Sequence, residues 1–547
     1  MNAKAAEATL DLVDQEGQLT DSFGQSLKLA FELHNTGRGE EAAAICRVLL
    51  HLRPHDAQLL FLFGMVLHKA KRDKEAVRWL SLAALYEPDS ARIHGGLGCA
   101  WQNLGDYLRA AAAFERALEL EPDSGANHYN LGRSCYSLEQ VDRATDHFRR
   151  AVELNPRDFA SWNNLGKCLK ELNRLEESIA AYDRAVELNP DYSLAHYGRA
   201  LSLLSAGRLA EGFSEYEWRW HTMKRRNFPQ PAWQGEVAPG KTLFIHAEQG
   251  FGDAIQMARF VAEAGNRVGQ VILECRPELF TLFQHSRCAE TVIPFGAPIP
   301  RFDYFIPMLS LPRVLAVTRE TIPSRAPYLQ APPSSKLPAG SRSGHLNVGL
   351  AWAGNPGHNQ DAARSLRLQS LAPLLEIPGV NFFSLQREVP AADKSWLSLV
   401  ADVVASDLVF EDFLQTASFI NELDLVITVD TSVAHLAGAL GKPVWLLLQH
   451  SADWRWFLDR ADTPWYPTMQ LYRQTERGRW DQPIAQVADA LRQKSISRAA
   501  GHLARILPAV SEKRRKNLSG LKLTPPPRMG ASRPDFPSRL RRGRNLS

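Results

Sequence analysis

The sequence predicts two architectures in tandem: an α-solenoid of stacked helix pairs, then an α/β domain of two lobes, with a basic tail at the end. Three observations carry this reading. Prolines stand at Pro54, Pro88, Pro122, Pro156 and Pro190, each 34 residues after the last. From Lys241 to Leu448, short apolar runs alternate with turns and helical segments. From Glu512 onward, Lys513, Arg514, Arg515, Lys516, Arg528, Arg541, Arg542 and Arg544 are opposed only by Glu512 and Asp535.

The 34-residue period is that of tetratricopeptide repeats. Gly64, Gly98, Gly132 and Gly166 keep one phase; Ala76, Ala110 and Ala144 keep another, with Ser178 in the next unit. Phe114, Phe148, Tyr182 and Tyr216 supply an in-phase aromatic, and Ala83, Ala117, Ala151 and Ala185 precede the turn. One helix pair cannot bury its apolar face alone, so neighbours stack and share a core. Proline after each second helix ends it, because it has no N–H for the ladder. The array is placed at 23–221, its first unit degenerate and cap-like, with residues 1–22 a flexible N-terminus. Solenoids expose long concave faces, so a protein acceptor or partner is expected there; a spacer is the plainer alternative. Trp162, Asn163, Asn164 and Lys170 are groove candidates, although Trp162 occupies a consensus packing position.

Across 547 residues, 45% are hydrophobic and 23% charged, and the net charge is +4. That charge is too small to predict a nucleic-acid partner. No run is apolar enough to span a bilayer, and Glu7, Asp11, Asp14 and Glu16 do not suit a secretory leader. Six scattered cysteines without a CxxC pair read as small core residues in a reducing cytoplasm.

The second half divides into a short first lobe at 222–335, a linker at 336–346, a second lobe at 347–494 and a disordered Pro/Arg-rich tail at 495–547. Strands are predicted at 241–247, 270–275 and within 301–307 of the first lobe. In the second lobe they are predicted at 347–353, 380–385, 423–429 and 443–448. Strand–turn–helix alternation predicts parallel sheets with ligands at the strand C-termini. Two such lobes place a cleft between them.

The strongest local signal runs from Asp424 to Leu448. A buried strand ends at Val429, Asp430-Thr431-Ser432 form a capping turn, a helix follows over 433–440, and Gly441 ends it. A helix N-terminus aimed into a cleft offers free N–H groups that suit a diphosphate. Thr431 and Ser432 add hydroxyls, and His435 lies one turn further on. In the first lobe, Gly252-Asp253 follows a strand and a glycine-rich turn; in the second, Trp352-Ala353-Gly354-Asn355 follows the first strand.

These three segments resemble those of the ADP-heptose–lipopolysaccharide heptosyltransferases, glycosyltransferase family 9, which have the GT-B fold. With the repeats, the chain also resembles, more distantly, the repeat-bearing protein O-GlcNAc transferases. The resemblance implies a nucleotide-diphosphate sugar donor, an acceptor hydroxyl and inverting transfer. It implies Asp253 as the catalytic base. It implies Asp430, Thr431, Ser432 and His435 as donor contacts, together with Gly252, Asn355 and a basic residue facing the diphosphate, here Arg364. No cofactor is expected, and no metal, since the chain contains no Asp-x-Asp.

Plainer readings stand beside these. Asp253 and Asp430 also fit as helix caps, His435 as a packed histidine, and Arg364 and Arg367 as solvated arginines. His246 and Glu248 flank the glycine turn as alternative catalytic groups. Trp454, Trp456 and Trp465 read as packing between lobes. A dinucleotide oxidoreductase is disfavoured because Ile255 stands where the fingerprint needs a third small residue. A non-catalytic repeat scaffold that keeps a transferase fold remains the alternative.

Overall fold

The computed structural model describes residues 19–334, 342, 344–357, 361–400, 404–405 and 410–519. The expected N-terminal segment up to residue 18, most of the expected linker and the tail beyond residue 519 lie outside these.

The 34-residue phase becomes geometry in six helix pairs, from Leu19–Asn35 with Gly39–Leu52 to Ser193–Ser205 with Leu209–Glu215. The glycines mark where paired helices touch. A Cβ on Gly98 would lie 2.7 Å from the Phe114 ring, and one on Gly132 would lie 2.9 Å from Phe148. The turn between paired helices needs a left-handed residue; Gly37, Gly105 and Gly207 supply it, with Lys71, Glu139 and Asn173 at the equivalent positions. The carbonyl of the terminating proline is also satisfied in phase. His94, His128 and His196 donate from Nε2 to the Pro88, Pro122 and Pro190 carbonyls at 2.8, 2.9 and 2.8 Å. Trp162 does the same from Nε1 to Pro156 at 3.0 Å. Trp162 is thus a structural residue of its repeat.

Ten strands follow: β1 (Ala238–His246), β2 (Val268–Cys275), β3 (Thr291–Pro294), β4 (Tyr304–Pro307), β5 (Leu346–Ala351), β6 (Val380–Ser384), β7 (Val404–Ala405), β8 (Leu425–Val429), β9 (Val444–Leu448) and β10 (Met469–Arg473). β3, β7 and β10 were not expected. They are edge strands, and β3 and β7 span only four and two residues. The first lobe carries a sheet in the order β3-β2-β1-β4 and the second one in the order β10-β9-β8-β5-β6-β7, with all pairs parallel. In the first sheet the chain moves outward from β1 and returns on its other side at β4. In the second it moves outward from β5 and returns at β8. Each lobe therefore has a topological switch point, where parallel sheets open a crevice at the strand C-termini.

The repeats and the α/β half share one apolar core. Ala200, Leu204, Leu209 and Phe213 of the last pair, with Tyr216 just after it, are continuous with Ile255, Trp454, Trp456, Trp465 and Tyr466. The joint is completed by Arg219, fully buried in the short helix Tyr216–His221. It donates to Glu217 at 2.9 Å, Glu248 at 2.8 Å and Ser310 at 2.9 Å. A buried guanidinium is tolerable only when its donors are satisfied in this way.

The expectation of disorder from residue 495 fails over its first part, because the helix Asp481–Ser519 runs through it. Ile484, Val487, Ala488 and Leu491 bury its first turns on the second lobe, and Ser495 Oγ donates to the Pro378 carbonyl at 2.7 Å. Most of the tail's prolines, Pro525 to Pro527, Pro534 and Pro537, lie beyond its end; only Pro508 falls within it, amid a 499–516 stretch rich in helix-forming Ala, Leu, Lys and Arg. Among the described residues, no helix is long and apolar enough to cross a membrane.

Candidate functional site

Both switch points open toward the same place. β1 ends at His246, and the loop after it leads into the helix Phe251–Met257. β8 ends at Val429, and Thr431 precedes the helix Ser432–Ala439. These two helices meet directly. A Cβ on Gly252 would lie 2.7 Å from His435 Cδ2, so glycine is what lets the lobes close.

Asp253 is held through both carboxylate oxygens. Oδ2 accepts from the Gly250 N–H at 2.8 Å, tying down the helix start, and Oδ1 pairs with Arg455 Nη2. Its side chain is 20% exposed. Asp253 thus ties down the start of its helix, as the plainer reading has it, and keeps part of its side chain exposed.

Asp430 accepts from Trp456 Nε1 at 2.9 Å and retains 18% exposure. Burial, and then the nearby Asp453 carboxylate, push its pKa up to about 6, against the pull of the Trp456 hydrogen bond and of the Arg364 and Arg455 charges. His435 is only 5% exposed. Its Nδ1 lies 2.8 Å from Tyr466 Oη, its ring stacks on Trp456 at 5.3 Å, and its Nε2 is 3.9 Å from Asp430 Oδ1. Burial, then the Arg455 charge, lower its pKa to about 3, so it is a neutral ring at physiological pH. His435 and Gly252, expected as donor contacts, thus face each other in the seam between the lobes.

Thr431 makes no side-chain cap, so the N–H groups at the start of the helix Ser432–Ala439 lack that partner. Thr431 Oγ1 lies 3.3 Å from Thr428 Oγ1, and Thr431 and Ser432 are half-buried. Across the switch point, the loop after β5 is shaped by Gly354, whose N–H donates to Ser365 Oγ at 2.9 Å. A Cβ at Gly354 would lie 2.7 Å from Arg364 Nη2, and Arg364 pairs with Asp361 at 3.3 Å. Arg364 thus lines this loop, and its charge acts on both Asp430 and His435. Asn355 is exposed and accepts from the Gly357 N–H at 2.9 Å, which makes it a turn-former at the rim. Arg367 is more exposed and lies 4.0 Å from Asp393.

The alternative catalytic groups are placed differently. Glu248 is committed to Arg219 and to the Leu309 N–H, and burial raises its pKa. His246 is buried among Phe228, Phe244 and Phe305 with neither ring nitrogen partnered. Burial first, then Arg226, lowers its pKa to about 4.

In the segment Asp453-Trp454-Arg455-Trp456 the sequence marks only the two tryptophans, as packing, and gives Asp453 and Arg455 no role. Trp454 does pack, edge-on to Phe213 of the repeats at 5.5 Å and to Trp465 at 5.8 Å. The neighbouring Arg455 and Trp456 instead hold Asp253 and Asp430. A Trp-Arg-Trp run directly after a strand end was the available signal. Among the described residues, no group of three or more His, Cys, Asp or Glu is arranged to hold a metal ion. All six cysteines are free thiols.

Comparison with known proteins bears on these two halves unequally. Protein FlbA of Caulobacter vibrioides is 26% identical over 535 residues, covering 90% of this chain and 81% of that protein. The solved structure of YrrB, a TPR protein with an unusual peptide-binding site, is 22% identical, with a TM-score of 0.30, covering 32% of this chain and 91% of YrrB. TTC0263, a thermophilic TPR protein of Thermus thermophilus, is 20% identical, with a TM-score of 0.28, covering 33% of this chain and 99% of that one. A sequence model of the tetratricopeptide repeat matches residues 96–159, 129–193 and 163–217, so the helical half of this protein is a tetratricopeptide-repeat array.

Proposed function

We propose that the α/β half is a glycosyltransferase of the GT-B type. In this reading it moves a sugar from a nucleotide-diphosphate donor to an acceptor hydroxyl with inversion and without a metal, and the repeats hold a protein acceptor or partner. The observation that carries this reading is the meeting of the two switch points. An uncapped helix N-terminus at Ser432 and the nearby Arg364 offer positive potential for a diphosphate. Asp253 stands across the lobe seam where an acceptor hydroxyl would be deprotonated. Free thiols suit a cytoplasmic setting.

One observation favours the scaffold reading. Both oxygens of Asp253 are already engaged, as expected of a purely structural cap.

Titration calorimetry of the whole chain with ADP-, UDP- and GDP-sugars, in EDTA and in magnesium, separates the two. Binding of one donor in EDTA is expected. Absence of binding by any of them, or binding that requires magnesium, refutes the metal-free transferase.

A further inference from the structure

The chain from Gln449 to Phe457 touches three bodies at once. Its back is fastened to the repeats: Asn173 Nδ2 donates to the His450 carbonyl at 2.8 Å, and Phe213 meets Trp454. Beside it, Arg477 pairs with Glu171 at 2.5 Å. Its front carries Arg455, a nearly buried guanidinium whose donors go to three side chains. Nη2 holds Asp253, Nη1 holds Asp453 at 2.8 Å, and Nε holds Gln256 at 2.5 Å. The next residue, Trp456, holds Asp430. The repeat residue Lys170 lies close enough to Asp453 for their charges to interact. One short segment thus ties the repeats to both Asp253 and Asp430.

We propose that Arg455 is the positioning residue of Asp253, and that the segment 449–457 transmits to it the state of the repeat array. A protein partner that shifts the last repeats would then move the carboxylate and Asp430 together. The importance of Asp253 as a base rests on the transferase reading; the mechanical coupling does not.

The test is carbodiimide labelling of carboxylates in the full chain, read at Asp253 by mass spectrometry. Asp303, on the far side of the first lobe and paired with Lys241, serves as the control. Arg455→Lys removes two of three fixed donors, and labelling of Asp253 is expected to rise roughly tenfold, the effect of losing a charge-assisted hydrogen bond. Asn173→Gly is the decisive variant. Glycine keeps the left-handed turn, as at Gly37, Gly105 and Gly207, and deletes only the amide that grips His450. Labelling of Asp253 is expected to rise several-fold in Asn173→Gly while Asp303 is unchanged. Unchanged labelling at Asp253 overturns the coupling, and so does an equal rise at Asp303, which would report general loosening. Since no donor is needed, labelling that moves as expected alongside absent sugar-nucleotide binding sinks the transferase reading and leaves the coupling standing.

Discussion

Replacing Gly252 by alanine tests the lobe seam with one methyl group. The added Cβ would sit 2.7 Å from His435 Cδ2 and 3.3 Å from Nε2, whereas ordinary contact begins near 3.4 Å. The ring has little room to retreat, being stacked on Trp456 and tethered to Tyr466 Oη at 2.8 Å. Either that hydrogen bond breaks or the helix Phe251–Met257 backs away, taking Asp253 with it. Overpacking of this kind costs about 1–3 kcal/mol, and for a domain of this size each kcal/mol lowers Tm by roughly 2–4 °C. Thermal melting of Gly252→Ala, His435→Ala and the double variant forms a closed cycle. The alanine is expected to be costly beside histidine and nearly neutral once the ring is gone, a coupling of about 1 kcal/mol or more. Equal cost in both backgrounds, or no cost beside histidine, refutes the direct packing of the lobes through this pair.

In the repeats, Gly132→Leu drives a side chain into Phe148, already 2.9 Å from a Cβ at that site; a loss of about 1–3 kcal/mol in denaturant melts is expected. Asp430 favours its neutral form in the fold, so its contribution is complete below the unfolded value of 3.8 and is lost as pH rises through about 6. Asp430→Asn should therefore match wild type near pH 4 and exceed its stability above pH 7; a pH-independent difference in Tm would show that the carboxyl is not the cause. His435 runs the other way: its neutral ring contributes fully above 6.5, and the contribution is lost as pH falls toward about 3, so His435→Gln should flatten the acid limb of the wild-type stability curve. Asp253→Asn should leave donor affinity nearly unchanged and slow single-turnover transfer by about 10²–10⁴; transfer at the wild-type rate excludes Asp253 as the base.

Periodicity determined much of this protein from sequence alone. Proline, glycine and aromatic residues 34 apart specify a stack because each helix pair packs only on its neighbours, so local pattern and tertiary contact coincide. The parallel lobes were legible for a similar reason: strands buried on both faces read as apolar runs, and glycine or small polar turn residues follow β1 and β8, although Thr431 makes no cap. The short edge strands β3 and β7 were not legible, because an edge strand of a few residues carries too little pattern. The site was half legible. Asp253, Asp430 and Arg364 are marked by their places after strand ends, but a sequence does not say which side chain will lie opposite which. Only the tertiary fold set Gly252 against His435. Only it brought Arg455 and Trp456, 202 and 26 residues away in sequence from the carboxylates they hold, into hydrogen-bond range. Those contacts lie in a segment that is also docked on the last repeats. That docking is decided by the shape of the shared core, which no local stretch of sequence encodes.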